Sequence, residues 1–143
     1  MAKKKTTIHR KIAGRSYAVE VPVHAAADGE QVVKGKDLAA ADLSIAAAIA
    51  GDGPVLGETF SWMRRAIGLQ AKHLAELLDV RPESVSRWER GQRPMDRAAW
   101  LLLAKLLLDK AGREMPALEL MSKIAAQTQP PKQIKVQMVP QGR

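Results

Sequence analysis

The sequence predicts a mainly helical chain with a small α+β piece at its N-terminus, on the strength of three observations. After residue 54, apolar residues recur at the spacing of amphipathic helices, with short interruptions. Residues 6–23 instead alternate between polar and apolar side chains, as in a β-hairpin. Gly51-Asp52-Gly53-Pro54 separates the two parts. This run breaks helices, since glycine costs backbone entropy and proline disfavours helix at the residue before it.

The charge of the chain is basic and concentrated at its ends. The formal net charge is +8, and neither residues 1–15 nor residues 128–143 contain an acid. A basic surplus favours a polyanionic partner, most commonly a nucleic acid, with an anionic membrane as the rival. The longest nearly apolar run, Ala98–Leu108, is broken by Lys105 and is far shorter than the roughly 20 residues of a spanning helix, so we expect no membrane insertion.

Residue types needed for metal or covalent chemistry are scarce. The chain has no cysteine, which excludes disulfides, thiolate nucleophiles and thiolate metal sites, and its three histidines lie in unrelated segments. Paired carboxylates, a nucleophile with its base and a phosphate-cradling loop are all missing from the pattern. We therefore expect no metal, no cofactor and no enzymatic activity.

The N-terminal part is predicted to contain a hairpin followed by a helix. Ile8–Ile12 forms the first strand, Ala13-Gly14 the turn, and Tyr17, Val19 and Val21 one face of the second strand. Asp28-Gly29 is a second turn. Lys36–Ala50 is rich in alanine with regularly spaced leucine and isoleucine, which favours a helix.

Three short helices are predicted next. The first covers Leu56–Ile67 and ends at Gly68. The second, Gln70–Leu78, is expected to bury Leu74, Leu77 and Leu78, and Asp79-Val80 forms the turn that follows it. Pro82 suits the first position of the third helix, because its missing N–H is no loss there, and Gly91 ends that helix.

The third helix has one apolar and one polar face. Val85 and Trp88 lie three residues apart and face inward, whereas Glu83, Ser84, Arg87 and Arg90 point outward. Two short helices joined by a tight turn, the second with exposed basic and polar side chains, describe a helix-turn-helix that reads DNA in the major groove.

The residues of this unit resemble one family closely. Leu74-Ala75-Glu76-Leu77-Leu78, Val80 and Val85-Ser86-Arg87-Trp88-Glu89-Arg90-Gly91 are similar to the Xre/Cro family of phage-repressor-like domains. The resemblance covers about 55 residues. It implies a five-helix DNA-binding domain, with the helix around Pro82–Arg90 in the major groove.

The outward residues of the third helix are the expected base contacts. Arg87 can donate two parallel hydrogen bonds to guanine O6 and N7. Ser84 and Glu83 lie near the helix N-terminus, where such helices touch bases. Two readings of Glu83 stay open, since its carboxylate either accepts from a cytosine amine or only complements the helix dipole.

Phosphate contacts and a structural ion pair complete the predicted site. The residues expected at phosphates are Gln70, Lys72, Arg81, Ser86, Arg90 and Arg93. In similar domains the acid at the position of Glu89 pairs inside the protein with an arginine of the first helix, and Arg64 matches that position. The resemblance therefore implies an Arg64–Glu89 pair that supports the scaffold and contacts no DNA.

Three departures from the family accompany this match. Gln70-Ala71 replaces the usual Ser-Gln at the start of the second helix, which puts one phosphate contact in doubt. Asp79 replaces the glycine of the turn and tolerates the left-handed conformation at a modest cost. Arg81 replaces the usual Ser or Thr cap, which removes the cap and adds a candidate phosphate contact.

The next segment, Asp96–Asp109, is apolar nearly all round and needs cover on a second face. Either a helix at Pro116–Ala126 or a second copy of the chain would supply it, so its leucines belong to the core or to a dimer seam. Symmetric dimers are usual in the family and place two reading helices about 34 Å apart on a palindromic operator.

The N-terminal part is similar to the MqsA/YgiT-like antitoxins of type II toxin–antitoxin systems. Val21-Pro22-Val23 matches the strand end that precedes their zinc knuckle, but Ala25 and Asp28 occupy the places of cysteine ligands, so no zinc is expected. The resemblance implies an antitoxin whose N-terminal part binds a toxin or dimerises while the helix-turn-helix represses its own operon. The alternative is a stand-alone or phage-type Xre-family regulator without a toxin partner.

The expected organisation has four parts. Residues 1–50 form the small toxin-binding or dimerisation domain, 51–54 a linker, 55–127 the helix-turn-helix domain with a C-terminal helix, and 128–143 a basic tail. The alternation of Ile134, Val136 and Met138 leaves open a strand within that tail. No continuous apolar run follows Met1–Lys5, so no secretory signal is predicted. We expect a cytoplasmic protein that is associated with the nucleoid when bound to DNA.

Overall fold

The computed structural model describes residues 4–126 and 132–139. Residues 1–3, 127–131 and 140–143, which comprise parts of the predicted basic ends and the last residue of the predicted domain 55–127, lie outside the described residues. The strands of the described part are β1 (Lys5–Ile12), β2 (Arg15–Pro22), β3 (His24–Ala25), β4 (Gln31–Val32) and β5 (Gln133–Val136), and its helices are α1 (Gly35–Asp52), α2 (Gly57–Ile67), α3 (Ala71–Leu78), α4 (Pro82–Glu89), α5 (Arg97–Lys110) and α6 (Ala117–Ala125).

The predicted N-terminal hairpin is confirmed. β1 pairs antiparallel with β2, and Ile12 lies opposite Arg15 at the closed end. Ala13 and Gly14 form the turn with φ of 52° and 74°, the positive values of a two-residue turn that matches strand twist. Tyr17, Val19 and Val21 are buried together on one face, as their alternation predicts.

The C-terminal segment is partly a strand rather than an exposed tail throughout. β5 pairs parallel with β2, with Tyr17 opposite Ile134 and Val19 opposite Val136, so that β2 is the central strand of three. Val136 and Val139 are buried, and the Val139 N–H donates to Ser44 Oγ at 2.8 Å. Burial of these apolar side chains holds the segment against the sheet and α1.

The run 51–54 ends a helix but does not separate two cores. Gly53 has φ 70° and donates its N–H to the Ile49 carbonyl at 2.7 Å, which ends α1. Ala41, Ile45 and Ile49 of α1 are fully buried and belong to the same core as α2 and α5. The expected linker is therefore a turn within one packed body, because the apolar face of α1 finds its cover on the helices that follow.

The helices after residue 54 follow the predicted order. Four of them, α2–α5, lie within 55–110, and the expected count of five is met only when α6 is included. Leu103 and Leu107 of α5 are buried, and α1, α2 and α6 all pack on that helix. Leu102 and Leu106 on its other side are 57% and 43% exposed.

The prediction that Leu77 of α3 is buried is wrong. Leu77 is 58% exposed, whereas Leu74 is fully buried and Leu78 is half-buried. Successive helical residues turn by about 100°, so Leu77 and Leu78 lie on opposite sides of Leu74. The core covers only the side of α3 that includes Leu78.

Candidate nucleic-acid interface

A tight turn joins α3 and α4 and sets the geometry of the unit. Asp79 ends α3 in the left-handed conformation, with φ 55° and ψ 46°, and thus takes the turn position for which glycine is usual. Its N–H donates to the Glu76 carbonyl at 3.2 Å, and the Val80 N–H donates to Ala75 O at 3.0 Å. These bonds satisfy carbonyls left free at the end of α3 and direct the chain into the next helix.

The position of α4 depends on its buried face. Val85 is fully buried and Trp88 nearly so. The Trp88 ring meets Phe60 of α2 edge to face, with centroids 6.0 Å apart and planes at 82°. Such a contact adds directional preference to the burial of two large rings, so it fixes the rotation of α4 about its axis.

The ends of α4 agree with the sequence prediction. Pro82 occupies its first turn with Glu83, whose carboxylate lies near the positive end of the helix dipole. Arg81 precedes the helix and makes no side-chain cap, as its identity implies. Gly91 follows with φ 71°.

The predicted base contacts share the outward face of α4. Glu83 and Arg87 are exposed, and Ser84 between them is half-buried. An exposed guanidinium in mid-helix, flanked by shorter polar side chains, has the reach and the donor geometry to meet a base edge. The structure brings these three residues together on one helix.

The predicted phosphate contacts lie at the start of α3, in α4 and on either side of α4 along the chain. Gln70 and Lys72 lie at the start of α3, Arg81 precedes α4, and Arg90 and Arg93 follow α4. All five are exposed, and Ser86 on α4 is half-buried. Basic and polar groups thus border the outward face of α4 at both ends.

Arg64 and Glu89 form an ion pair between α2 and the end of α4. Arg64 Nε lies 2.6 Å from Glu89 Oε2, and Nη2 lies 2.8 Å from Oε1. Arg64 Nη1 also donates to the Leu69 carbonyl at 2.9 Å. The side chains are 13% and 12% exposed, and the hydrogen bonds to Glu89 raise the pKa of the Arg64 guanidinium further. Because both side chains are largely buried, this ion pair positions α4 and is not available to bind a ligand.

Two contacts that hold the unit were missed in the sequence. Gly57 opens α2 directly against the Trp88 carbonyl, so that a Cβ at this position would overlap the carbonyl oxygen. At the hairpin turn, the Ala13 N–H donates to Glu58 Oε1 at 2.8 Å. Neither contact has a local signal, because the partners are far apart in the chain.

The described residues contain neither a metal-ligand cluster nor a helix suited to span a membrane. Residues 4–126 and 132–139 contain no group of three or more histidine, aspartate or glutamate residues that could hold a metal ion. Within the same ranges, none of the helices is both long enough and apolar enough to cross a membrane.

Comparison with known proteins agrees with this geometry. A helix-turn-helix family model matches residues 61–108, the stretch that runs from α2 through most of α5. The searches for similar curated proteins and similar solved structures found no match. The matched family consists of DNA-binding transcriptional regulators. Residues 61–108 therefore form a DNA-binding helix-turn-helix domain of the Xre/Cro type.

Proposed function

We propose that this chain is a transcriptional repressor that binds double-stranded DNA sequence-specifically. We propose that it is also the antitoxin of a type II toxin–antitoxin system and represses its own operon. The DNA-binding part of the proposal rests on the exposed polar face of α4, because contacts on the buried side of this helix hold it in place. Trp88 packs on Phe60 and Glu89 pairs with Arg64, so the outward residues are preorganised at little entropic cost.

Arg87 is the principal base reader in this proposal. Its exposed guanidinium donates to O6 and N7 of a guanine, a contact worth about 1–3 kcal/mol of discrimination. Ser84 and Glu83 add contacts at the N-terminal end of α4. Glu83 either accepts from a cytosine amine or acts only on the helix dipole.

The surrounding residues bind the DNA backbone. Lys72, Arg81, Arg90 and Arg93 pair with phosphates, while Gln70 and Ser86 donate hydrogen bonds to them. These contacts set the orientation of α4 in the groove and supply affinity that falls as salt rises, because bound counterions are released.

We further propose that the repressor is a homodimer on a palindromic operator. Leu102 and Leu106 of α5 and Leu118 and Met121 of α6 are between 43% and 76% exposed. Exposed apolar side chains on helices are suited to self-association about a two-fold axis. Sedimentation should give a dimer for the wild type and a monomer for Leu106→Asp. The matched control Val32→Asp changes an exposed apolar residue of β4 and should remain dimeric.

A footprint on the DNA upstream of the gene for this protein is the most direct test of the repressor. We expect a protected region with two-fold symmetry and half-sites about 34 Å apart, or a multiple of that distance. A chain that protects no site in this DNA, and binds all duplexes alike, would contradict autoregulation.

The antitoxin half is supported by the region that follows Val21-Pro22-Val23. β3 and β4 form a small hairpin here, and the turn is closed by Asp28 Oδ1, which accepts from the Glu30 N–H at 3.0 Å. Asp28 thus supplies a closing bond at a place where similar antitoxins use a metal ligand. We expect the N-terminal part to bind a toxin without zinc.

Co-expression with the neighbouring gene tests this half. An antitoxin should co-purify with the neighbouring product and relieve the growth arrest that this product causes alone. Protein with the operator footprint but no such partner would instead be the stand-alone Xre-family regulator. In either case the site of action is the cytoplasm, at the nucleoid.

A further inference from the structure

The sheet has a second, solvent-facing side on which basic residues collect. α1 packs on the side that carries Tyr17 and Val19, so the alternate residues of β1 point the other way. These residues are Lys5, Thr7, His9 and Lys11, and all four are exposed. We call this side of the sheet the outer face; no described helix covers it.

The neighbours of β1 keep this face positive and shallow. Ala18 of β2 lies between His9 of β1 and Lys135 of β5 in the strand register. Lys5, Lys135 and Ala18 line a depression of about 470 Å³ that also includes Glu20. Glu20 is the single acid in the described strands of this sheet. A small side chain at the centre lets a ligand approach the backbone between lysines.

The lysines of the outer face are not used inside the protein. Among the described residues, Lys5, Lys11 and Lys135 have neither a hydrogen-bond nor an ion-pair partner for their side chains. Arg10, on the other side of β1, pairs instead with Asp42 of α1 at 3.2 Å. Arg10, which supports the fold, and Lys5 and Lys11, which are unpaired within the described chain, thus lie on opposite sides of β1.

β1 also offers backbone groups, because it is the edge strand of the sheet. The closed end at Ile12 and Arg15 and the bond from the Val23 N–H to the Lys4 carbonyl, 3.0 Å, pair the even-numbered residues with β2. The N–H groups of Lys5, Thr7, His9 and Lys11 therefore point away from β2, in the plane of the sheet and along the edge of the outer face. Backbone N–H groups of this kind are common donors to phosphate oxygens.

The outer face begins beside the C-terminal end of α4. Lys11 and the exposed Arg65 of α2 line one cleft of about 310 Å³ together with two acids, Glu58 of α2 and Glu89, the last residue of α4. The hairpin is held there by the bond from the Ala13 N–H to Glu58 Oε1. From Lys11 to Lys5 the strand spans about 20 Å, which corresponds to roughly six phosphates of one DNA strand.

We propose that the outer face of the sheet, with Lys5, Lys11 and Lys135 as its principal cations, binds the phosphate backbone of DNA flanking the operator. The proposal rests on the function proposed for α4 and extends that interface along the duplex. A second copy of the chain is not expected to bind here, because antiparallel pairing of two β1 strands would place lysines of the two copies next to one another. Continuity with the end of α4 favours DNA over an acidic protein.

Salt dependence of binding is the measurement. Lys5→Gln/Lys11→Gln removes two phosphate contacts, so the slope of log K against log salt should become shallower by about 1.8, at roughly 0.9 per contact. The affinity should fall by the same factor on operator and random duplex. The matched control, Lys34→Gln/Lys36→Gln, removes equal charge at the start of α1, which packs on the other side of the sheet, and should change the slope much less.

The length of the duplex provides an independent readout. For the wild type, adding flanking base pairs to a minimal operator should increase affinity, and for the Lys5/Lys11 variant it should not. Lysines on an edge strand also prevent sheets from pairing, so the glutamine variant risks aggregation. Lys5→Glu/Lys11→Glu keeps the edge charged and should weaken binding to long duplexes further.

Several outcomes would overturn the inference. A slope equal to that of the control overturns it, as does an equal gain from flanking DNA in variant and wild type. Aggregation with unchanged DNA binding would leave the lysines as protection of the edge. Loss of a co-purifying acidic protein with unchanged DNA binding would assign the face to that protein. If the wild type binds no duplex at all, the proposed function of α4 fails first, which is a distinguishable result.

Discussion

Arg64 in α2 donates two hydrogen bonds to Glu89, the last residue of α4, from Nε at 2.6 Å and from Nη2 at 2.8 Å. The two residues are 25 positions apart, and their contact ties the first helix of the matched domain to the helix with the predicted base contacts. Paired charges in such a site resist rotation of α4, because any displacement would leave a desolvated charge without its partner.

Removing one member of this pair should be costly. We expect Arg64→Ala to lower the free energy of unfolding by about 3–5 kcal/mol, since it leaves the Glu89 carboxylate inside without compensation. Arg64→Leu/Glu89→Leu should cost much less than the single change, because neither charge remains. Urea unfolding of both variants measures the difference.

A surface pair provides the control. Lys105 and Asp109 pair at 3.0 Å along α5, where Asp109 is 60% exposed, so Asp109→Ala should cost less than about 1 kcal/mol. If Arg64→Ala costs no more than Asp109→Ala, the Arg64–Glu89 pair does not stabilise the domain.

Arg87→Ala tests the reading helix. We expect specific binding to weaken by about 1–3 kcal/mol and the preference at one base pair in each half-site to relax, because two donors to guanine are lost. Binding titrations on operator and random duplex give the comparison. Arg113→Ala, between α5 and α6, should leave both affinities nearly unchanged. Equal losses for Arg87→Ala on both duplexes would make Arg87 a phosphate contact.

Gly57→Ala tests the close approach of α2 to α4. A methyl group here would overlap the Trp88 carbonyl oxygen, so the end of α4 must move. We expect a loss of about 1–3 kcal/mol in stability, as for overpacked cores, together with weaker operator binding. Thermal unfolding and the binding titration report the two effects.

Gly35→Ala is the matched control for Gly57→Ala. Gly35 opens α1, and a Cβ there meets no atom within 4 Å. Alanine favours helix over glycine, so this variant should be as stable as the wild type or slightly more stable. Equal behaviour of the two alanine variants would contradict the proposed role of Gly57.

Tyr17 should make the fold sensitive to alkali. Its side chain is 1% exposed and its hydroxyl has no hydrogen-bond partner among the described residues, and burial raises the pKa of the phenol above its usual 10. Above pH 10 the unfolded chain loses the proton before the folded one does. The free energy of unfolding should therefore fall as the pH rises from about 10 through the folded-state pKa.

Tyr17→Phe isolates this effect. Urea unfolding at several pH values should give a smaller alkaline loss for the variant, with similar or greater stability at pH 7, because an unpaired buried hydroxyl is removed. Tyr17 is the only tyrosine, so tyrosinate absorbance reports its ionisation directly. Identical alkaline profiles of variant and wild type would exclude Tyr17 as the source.

Residue types at the helix ends were sufficient to predict where α2, α3 and α4 of the helix-turn-helix domain begin and end. Gly68 ends α2 with φ 83°, Asp79 takes the left-handed position of the turn, and Gly91 follows α4 with φ 71°. Each depends on a backbone conformation that few residues adopt, so the residue type marks the place. The inward side of α4 follows likewise from the three-residue spacing of Val85 and Trp88.

Long-range packing was beyond those signals. Leu77 fits the apolar pattern of α3 but remains exposed, because the core covers only the side that includes Leu78. The breaker before Pro54 suggested two separate bodies, whereas Ile45 and Ile49 of α1 join the core of the later helices. The parallel pairing of β5 with β2 also joins segments more than 110 residues apart, which no local pattern specifies.

By itself, the sequence determined the order of the helices, the turn between α3 and α4 and the face of α4 that turns outward, since these depend on residue spacing and backbone preference. Only the tertiary structure decided that α1 belongs to the same core, that β5 completes the sheet, and that the hairpin turn contacts Glu58 beside the reading unit. These choices depend on which apolar faces cover one another, and that is a property of the folded chain as a whole.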